Sequence, residues 1–177
     1  YDPLTGLAHR VLFRDRAEQA FARAQRDKTL VALLFLDLDR FKTINDSVGH
    51  PAADTLLCEI ASRLLAGVRA TDIVSRQGGE EFLILLTGLH HPDEVTHIAQ
   101  KILQTVSSPF QVGRCSITPS FSIGIDRPEV IRKKVAAAVE FPVLKLKLGL
   151  AGDQANLAAL REVAPTKPVR VDANEGW

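Results

Sequence analysis

The sequence is poor in several residue types that mark specialised classes of protein. It has 177 residues, with no methionine, one tryptophan, one tyrosine and two cysteines. Cys58 and Cys115 lie in apolar stretches without the spacing of a metal site, so we expect reduced thiols rather than a disulfide. Because the first residue is Tyr1 and there is no methionine, we expect the chain to be an excised or processed piece.

An excess of one charge and a long apolar run are also missing. The 22 Lys and Arg residues nearly balance the 21 Asp and Glu residues, which leaves a formal net charge of +1. This balance gives no electrostatic reason to expect nucleic acid or an anionic membrane as a partner. No apolar run could cross a bilayer, and no signal-peptide pattern opens the chain. We therefore expect a cytoplasmic protein that contacts neither nucleic acid nor membrane.

Hydrophobic periodicity predicts an α/β fold whose first part contains a β-hairpin. The predicted helices of this part cover residues 10–27, 51–68 and 92–106. The predicted strands cover residues 31–39, 72–77 and 81–86, with two more short strands within 110–125. Gly78 and Gly79 separate the second and third strands, as expected for a tight hairpin. Residues 41–46 are predicted to form a polar turn or a single helical turn.

From residue 126 the pattern changes to a simple alternation of helix and strand. Predicted helices at 128–140 and 153–163 alternate with predicted strands at 143–148 and 169–172. Such alternation with short loops is typical of βαβ units and a parallel sheet. The hairpin of the first part instead predicts an antiparallel or mixed sheet, so the two parts are expected to differ in architecture.

Acidic residues are concentrated at two places that strand pairing would bring together. The apolar strand 31–39 ends in Asp37 and Asp39, and the glycine pair is followed at once by Glu80 and Glu81. If the strand and the hairpin pair, these carboxylates converge beside glycine backbone, where hard divalent cations and phosphates bind. A lone strand-end aspartate is usually a solvated side chain, so the prediction depends on both acidic groups occurring together.

The motifs of residues 1–125 resemble those of the GGDEF family of diguanylate cyclases, in its GGEEF variant. The matching motifs are Asp2-x-Leu4-Thr5-Gly6-Leu7, Phe35-Leu-Asp37-Leu-Asp39-x-Phe41-Lys42-x-Ile44-Asn45-Asp46, Gly49-His50-x-x-x-Asp54, Arg69-x-x-Asp72 and Arg76-x-Gly78-Gly79-Glu80-Glu81-Phe82. The resemblance implies a GGDEF-type mixed sheet flanked by helices. It also implies bacterial signal transduction, with two GTP condensed into cyclic di-GMP by a homodimer.

The resemblance further implies a role for each matching residue. Asp37, Glu80 and the Leu38 carbonyl would bind Mg²⁺ or Mn²⁺, and Glu80 and Glu81 would be catalytic, with Glu80 helping to deprotonate the attacking 3′-hydroxyl. The implied GTP contacts are Phe41 and Lys42 at the β- and γ-phosphates, Gly78 and Gly79 along the phosphates, and Asn45 and Asp54 at the guanine edge. Arg69 and Asp72 match an inhibitory site for cyclic di-GMP.

This chain also departs from the family pattern. Ala53 stands where the family usually has glycine, and His9 where it usually has asparagine. After residues 122–125 the family continues into a helix that carries a lysine and an arginine for the phosphates, and this segment is not found here.

We therefore expect weakened catalysis, and two alternatives stay open. The chain could bind GTP or cyclic di-GMP without catalysis, or its first part could be incidental to an inactive epimerase fragment.

That fragment is suggested by a second resemblance over residues 118–177, to the dipeptide (L-Ala-D/L-Glu) epimerase branch of the enolase superfamily. There the stretch forms the opening βαβαβ segment of a TIM barrel. Lys145 and Lys147 match the family's lysine pair and Asp172 its first magnesium carboxylate. Alternatively, the lysines form the exposed face of an edge strand, and Asp172 is a turn residue. The sequence thus predicts a chimera of a GGDEF domain, 1–125, and a partial barrel, 126–177.

Overall fold

The computed structural model describes residues 1–38, 41–149 and 152–172. The helices are α1 Arg10–Asp27, α2 Phe41–Val48, α3 His50–Gly67, α4 Asp93–Ser107, α5 Pro128–Ala137 and α6 Asp153–Val163. The strands are β1 Leu30–Asp37, β2 Ile73–Gly78, β3 Glu81–Leu89, β4 Phe110–Val112, β5 Cys115–Ile117, β6 Ser120–Ile123, β7 Val143–Lys147 and β8 Val169–Asp172. They form two compact units. The first unit is Tyr1–Val106 with Gln111–Cys115, and the second unit is Ser107–Phe110 with Ser116–Trp177.

The first unit contains a three-stranded antiparallel sheet in the order β1-β3-β2. Strand β3 lies in the middle and is largely apolar, and its residues Phe82, Leu85 and Leu86 are at most 1% exposed. On one side Leu85 packs against Phe13 and Ala17 of α1. Burying this apolar surface stabilises the hairpin, because a two-stranded hairpin in water has little stability of its own.

Three short elements of the structure differ from the sequence prediction. Residues 41–46, predicted as a turn, belong to the eight-residue helix α2, because Phe41, Ile44 and Val48 recur at helical spacing among polar residues. Residues 110–125, predicted as two strands, contain the three short strands β4, β5 and β6. The hairpin turn lies one residue later than predicted, because Gly78 still belongs to β2 at a register irregularity.

The second unit contains a three-stranded parallel sheet in the order β6-β7-β8, with α5 and α6 in the connections. Its core includes Ile123, Ile131, Leu144 and Leu146, all fully buried. Because β7 is the central strand, the interpretation of its lysines as an exposed edge is wrong: Lys145 is only 8% exposed. The βαβαβ order agrees with the sequence, while its assignment to a TIM barrel stays a prediction. So does the boundary at residue 125.

Among the residues that the structure describes, no helix is both long enough and apolar enough to cross a membrane.

Candidate functional site

The register of the β1–β3 pair sets the position of the first carboxylates. Asp37, the last residue of β1, lies directly opposite Glu81, the first residue of β3. Side chains at directly opposite positions of an antiparallel pair share one face, and two like charges placed so destabilise the sheet. Both side chains are exposed, and Glu80 precedes Glu81 in the turn. A cation bound at this sheet edge would offset the repulsion between the carboxylates.

The turn beside these carboxylates has a backbone that favours glycine. Gly78 has φ of 137° and Gly79 has φ of 52°, and both values are unfavourable for residues with a side chain. A Cβ atom built on either glycine would meet no atom within 4 Å. Backbone conformation therefore explains the two glycines better than crowding within the protein does. The open space beside them leaves room for a ligand to approach the backbone.

The residues at this edge fit Mg²⁺ bound together with a nucleotide. No group of three His, Cys, Asp or Glu side chains that could hold a metal occurs among the described residues, and Asp39 lies outside them. Mg²⁺ is usually bound by one or two carboxylates plus substrate phosphates, so it does not need a cage made only of protein. The Leu38 carbonyl accepts a hydrogen bond from the Phe41 amide at 3.2 Å. A carbonyl has two lone pairs, so this bond leaves capacity for one ligand.

The residues implied in GTP binding extend from the sheet edge to α2 and α3. Phe41 is only 8% exposed, so its side chain belongs to the core and its backbone is the part available to a phosphate. Lys42 and Asp54 are exposed. Asn45 differs, because its Oδ1 atom is buried and has no hydrogen-bond partner among the described residues. A buried acceptor without a partner is costly, and a ligand donor would satisfy it.

Arg69 and Asp72 lie together, but their side chains are engaged differently. The Asp72 carboxylate accepts hydrogen bonds from the backbone amides of Arg69 and Thr87, at 2.9 and 3.0 Å. It therefore ties the end of the α3–β2 loop to β3. The Arg69 guanidinium is 54% exposed and lies 3.6 Å from Glu94. Arg69 and Asp72 line a groove together with Arg23 of α1.

In the second unit the structure brings two of the three epimerase-like residues together. Lys145 Nζ lies 2.9 Å from an Asp172 carboxylate oxygen, and the two side chains are 10% and 19% exposed. Lys147 is half-buried and lies opposite Asp172 in the β7–β8 register. The Lys145–Asp172 pair explains how a lysine is accommodated inside this sheet, because an unpaired buried charge is strongly unfavourable.

Two residues of the first unit have roles that sequence reasoning missed. His9, one of the departures from the family pattern, caps α1 by accepting a hydrogen bond from the Leu12 amide on its Nδ1 atom at 3.2 Å. Arg76 donates hydrogen bonds from Nε and Nη2 to the Gly79 carbonyl, at 2.9 and 2.8 Å. Arg76 is part of the motif in sequence, but its contact with the turn is visible only in the fold.

Comparisons with known proteins find two kinds of relative that match this chain over different lengths. The family model "Diguanylate cyclase, GGDEF domain" matches residues 1–137. The bifunctional diguanylate cyclase/cyclic di-GMP phosphodiesterase MucR of Pseudomonas aeruginosa is 45% identical over 125 residues, which are 71% of this chain and 18% of MucR. An L-Ala-D/L-amino acid epimerase of Pedosphaera parvula is 76% identical over 58 residues, which are 33% of this chain and 17% of that protein. This chain thus spans less than a fifth of either relative.

Solved structures give a similar result for the fold. The GGDEF domain of Pseudomonas aeruginosa TpbB has a TM-score of 0.65 at 30% identity, with 98% of this chain and 95% of that chain covered. The GGDEF domain of Caulobacter crescentus DgcB, solved in complex with c-di-GMP, has a TM-score of 0.59 at 30% identity, with 66% of each chain covered. These likenesses support the mixed α/β fold with an antiparallel sheet. Because the family model covers more than half of the sequence, the chain belongs to the diguanylate cyclase GGDEF domain family.

Proposed function

We propose that the first unit binds GTP with Mg²⁺ and condenses two GTP molecules into cyclic di-GMP. The observation that carries this proposal is the β1–β3 register, which brings Asp37 opposite Glu81 and next to the turn that contains Glu80. The reaction forms two 3′–5′ phosphodiester bonds and releases two pyrophosphates. Each bond needs an aligned 3′-hydroxyl, an acceptor for its proton and compensation for the phosphate charge.

The carboxylates at the sheet edge divide these tasks. Asp37 and Glu80, with the Leu38 carbonyl, would hold Mg²⁺, or Mn²⁺ in its place. The bound ion would neutralise charge on the GTP phosphates. Glu80 accepts the proton of the attacking 3′-hydroxyl, and Glu81 lies beside it as a second acidic group. The backbone of Gly78 and Gly79 approaches the phosphates, because neither residue carries a side chain that would block them.

Recognition of guanine is assigned to α2 and α3. The unpartnered Oδ1 atom of Asn45 accepts a hydrogen bond from the donor edge of guanine, and the exposed Asp54 carboxylate accepts another. Adenine presents an acceptor at N1 where guanine presents a donor, so two acceptors favour guanine. Lys42 and the Phe41 backbone contact the β- and γ-phosphates at the start of α2.

The product site and the assembly follow from the same proposal. Arg69 supplies the exposed positive charge for a cyclic di-GMP phosphate, while Asp72 keeps the loop in place. Two copies of the chain bring two bound GTP molecules face to face, because each copy holds one of them. We expect slow turnover if, as the sequence predicts, the family's phosphate-binding lysine and arginine are missing after residue 125.

Incubation of the purified chain with GTP and Mg²⁺, followed by chromatography for cyclic di-GMP, tests the enzyme. Product is expected from the wild type. Glu80→Gln is expected to lower the rate at least 100-fold, the lower range for a general base. Glu59→Gln, a change on α3 at a residue paired with Arg63, is the matched control and should leave the rate unchanged. If cyclic di-GMP does not form, or if Glu80→Gln has the same rate as the wild type, the proposed chemistry is wrong.

A second candidate function is a non-catalytic module that binds cyclic di-GMP. It is favoured by the exposed Arg69 guanidinium beside a groove. Calorimetry with cyclic di-GMP would then show binding that Arg69→Ala abolishes, in a chain that forms no product from GTP.

We further propose that the second unit is an inactive epimerase-like remnant and that the chain is a chimera. The two matched stretches of 125 and 58 residues together exceed the 177 residues of the chain, so they share at least six residues. This overlap is expected if two families were joined at a similar segment. The remnant retains only Lys145, Lys147 and Asp172 of the expected site. Deuterium exchange at the α-carbons of Ala-Glu should therefore be undetectable.

A further inference from the structure

Strand β1 has a neighbouring strand on only one of its two edges. In the sheet order β1-β3-β2 it pairs with β3, and no turn or loop of the described residues forms a backbone hydrogen bond to residues 30–37. Alternate N–H and C=O groups of β1 therefore point away from β3, and a row of such groups can pair with another strand. Edge strands usually carry charges or proline that prevent this pairing, but β1 has neither between Leu30 and Leu36.

The side chains of Leu33 and Phe35 form an exposed apolar face beside this edge. They are 56% and 62% exposed, and because they lie two positions apart they share one face of the strand. Helix α1 covers the same face farther from the edge, where Leu83, Leu85 and Val31 pack in its cluster. Two large apolar side chains next to each other at an unpaired edge are typical of a surface that associates with another strand.

The apolar residues of this edge fit a second copy of the same strand. If two copies of β1 pair antiparallel about Leu33, the Leu33 side chains of the two copies lie opposite each other. Phe35 of each copy then lies opposite Val31 of the other, so every apolar position on the exposed face of β1 has an apolar cross-strand partner. Such a pairing joins two three-stranded sheets into one antiparallel sheet of six strands.

The charges at the two ends of β1 also fit a second copy in the antiparallel direction. Lys28 lies just before the strand and Asp37 is its last residue, and both are exposed. Antiparallel pairing brings the Lys28 end of one copy to the Asp37 end of the other, so opposite charges approach at both ends of the interface. Parallel pairing would bring like charges together, which is unfavourable.

We propose that the exposed edge and face of β1 form a self-association interface, in which two copies of this chain pair antiparallel about Leu33. The two Asp37 residues lie four positions on either side of the pairing centre, so they are about 26 Å apart along the strands, at about 3.3 Å per residue. The sheet edges that would bind GTP thus lie at opposite ends of the interface. This dimer therefore differs from the one that brings two GTP molecules face to face, and it does not rest on the proposed function.

Sedimentation equilibrium without nucleotide tests the association. We expect the wild type to form dimers as its concentration rises. Leu33→Lys places a charge on the edge strand and should raise the dimer dissociation constant at least tenfold. Leu65→Lys, the same change at a leucine of α3 that is 52% exposed, is the matched control and should alter the constant less than twofold. A wild type that is monomeric at every concentration, or equal weakening by the two changes, would overturn the inference.

Cysteine crosslinking tests the register independently of the lysine variants. Leu33→Cys places two thiols opposite each other, so mild oxidation should give a covalent dimer. Phe35→Cys places its two thiols four residues apart along the paired strands, about 13 Å, which is beyond the reach of a disulfide. That variant should not crosslink, and neither should the wild type with its native Cys58 and Cys115.

The crosslinking result also separates this inference from the proposed function. If Leu33→Cys does not crosslink, or if Phe35→Cys crosslinks equally well, the proposed pairing is wrong. If Leu33→Cys alone crosslinks but the chain forms no cyclic di-GMP, the proposed function fails and the interface stands.

Discussion

At the scale of a single residue, a substitution of Asn45 should affect ligand recognition without affecting stability. Its buried Oδ1 atom has no partner among the described residues, so removing it breaks no hydrogen bond within the protein. Asn45→Ala should therefore leave the free energy of unfolding unchanged or slightly raised. The same change should raise KM for GTP about tenfold and lower the preference for GTP over ATP. Kinetics with GTP and with ATP tests the nucleotide preference, and urea unfolding tests the stability.

The control for this change is Gln25→Ala on the exposed face of α1, which should alter neither quantity. A loss of stability in Asn45→Ala without a change in nucleotide preference would assign Asn45 to the fold rather than to guanine.

Asp2 gives a pH dependence whose direction follows from its pKa. Burial raises the pKa of Asp2, but hydrogen bonds from Thr5 and Arg76 outweigh this effect and hold the pKa below its ordinary value. Because the folded-state pKa lies below the unfolded value of about 3.9, Asp2 stabilises the fold fully above that value. The contribution is lost as the pH falls through the folded-state pKa. The difference in unfolding free energy between wild type and Asp2→Asn should thus be constant from pH 7 to pH 5. It should shrink towards pH 3, as urea titrations would show, and a difference independent of pH would contradict this account.

At the scale of the element, the hairpin depends on backbone freedom at Gly78. Its φ of 137° lies in a region that residues with a side chain rarely adopt, although a Cβ atom would meet no neighbour. Gly78→Ala should lower the free energy of unfolding by about 1–3 kcal/mol through strain alone. Gly124→Ala, where φ is not positive and no atom lies within 4 Å, is the control and should be neutral or slightly stabilising. Equal effects of the two changes in chemical denaturation would contradict the explanation.

The central strand of the second unit depends on its ion pair. Asp172→Asn removes the carboxylate 2.9 Å from Lys145, whose side chain is only 10% exposed. We expect a loss of about 3 kcal/mol, because the charge of a buried lysine is left without its acidic partner. Glu162→Gln breaks the exposed pair with Arg132 and should change stability by less than about 1 kcal/mol. Amide hydrogen exchange in β7 measures the loss of stability in both variants. Similar protection in the two variants would contradict the expectation.

Long helices could be predicted from the sequence more accurately than short helices and strands. Long periodic helices such as α1 and α6 were predicted with their observed bounds, because many apolar positions repeat with one period. Helix α2 and strands β4 to β6 are too short to establish a period, and tertiary packing decides their conformation. The β2–β3 hairpin could be predicted from the apolar runs and the glycine turn. The pairing of β1 with β3, which brings Asp37 opposite Glu81, was only a condition of the predicted acidic site.

The contacts of Arg76 with Asp2 and of Lys145 with Asp172 could not be predicted in this way. Each joins residues far apart in sequence, and a side chain's partner across such a distance is set by the fold rather than by local pattern. The apolar strand around the two lysines was a reason to expect acids near them, but it did not indicate which residue would supply the carboxylate.

At the scale of the whole molecule, the chain combines two architectures. The first unit has an antiparallel sheet with carboxylates at one edge, and the second has a parallel sheet with a buried ion pair. For the first unit, we propose that Asp37 and Glu80 bind one divalent ion together with GTP. Such a shared site makes the two carboxylates depend on each other, so their substitutions should not be additive.

Calorimetric titration of GTP with and without Mg²⁺ tests this claim most directly, on the wild type, Asp37→Asn, Glu80→Gln and the double variant. We expect Mg²⁺ to strengthen GTP binding to the wild type at least tenfold. Either single change should remove most of this effect, and the double variant should be no weaker than the singles. Binding of GTP that Mg²⁺ strengthens equally in all four proteins would contradict the shared site and the chemistry assigned to it.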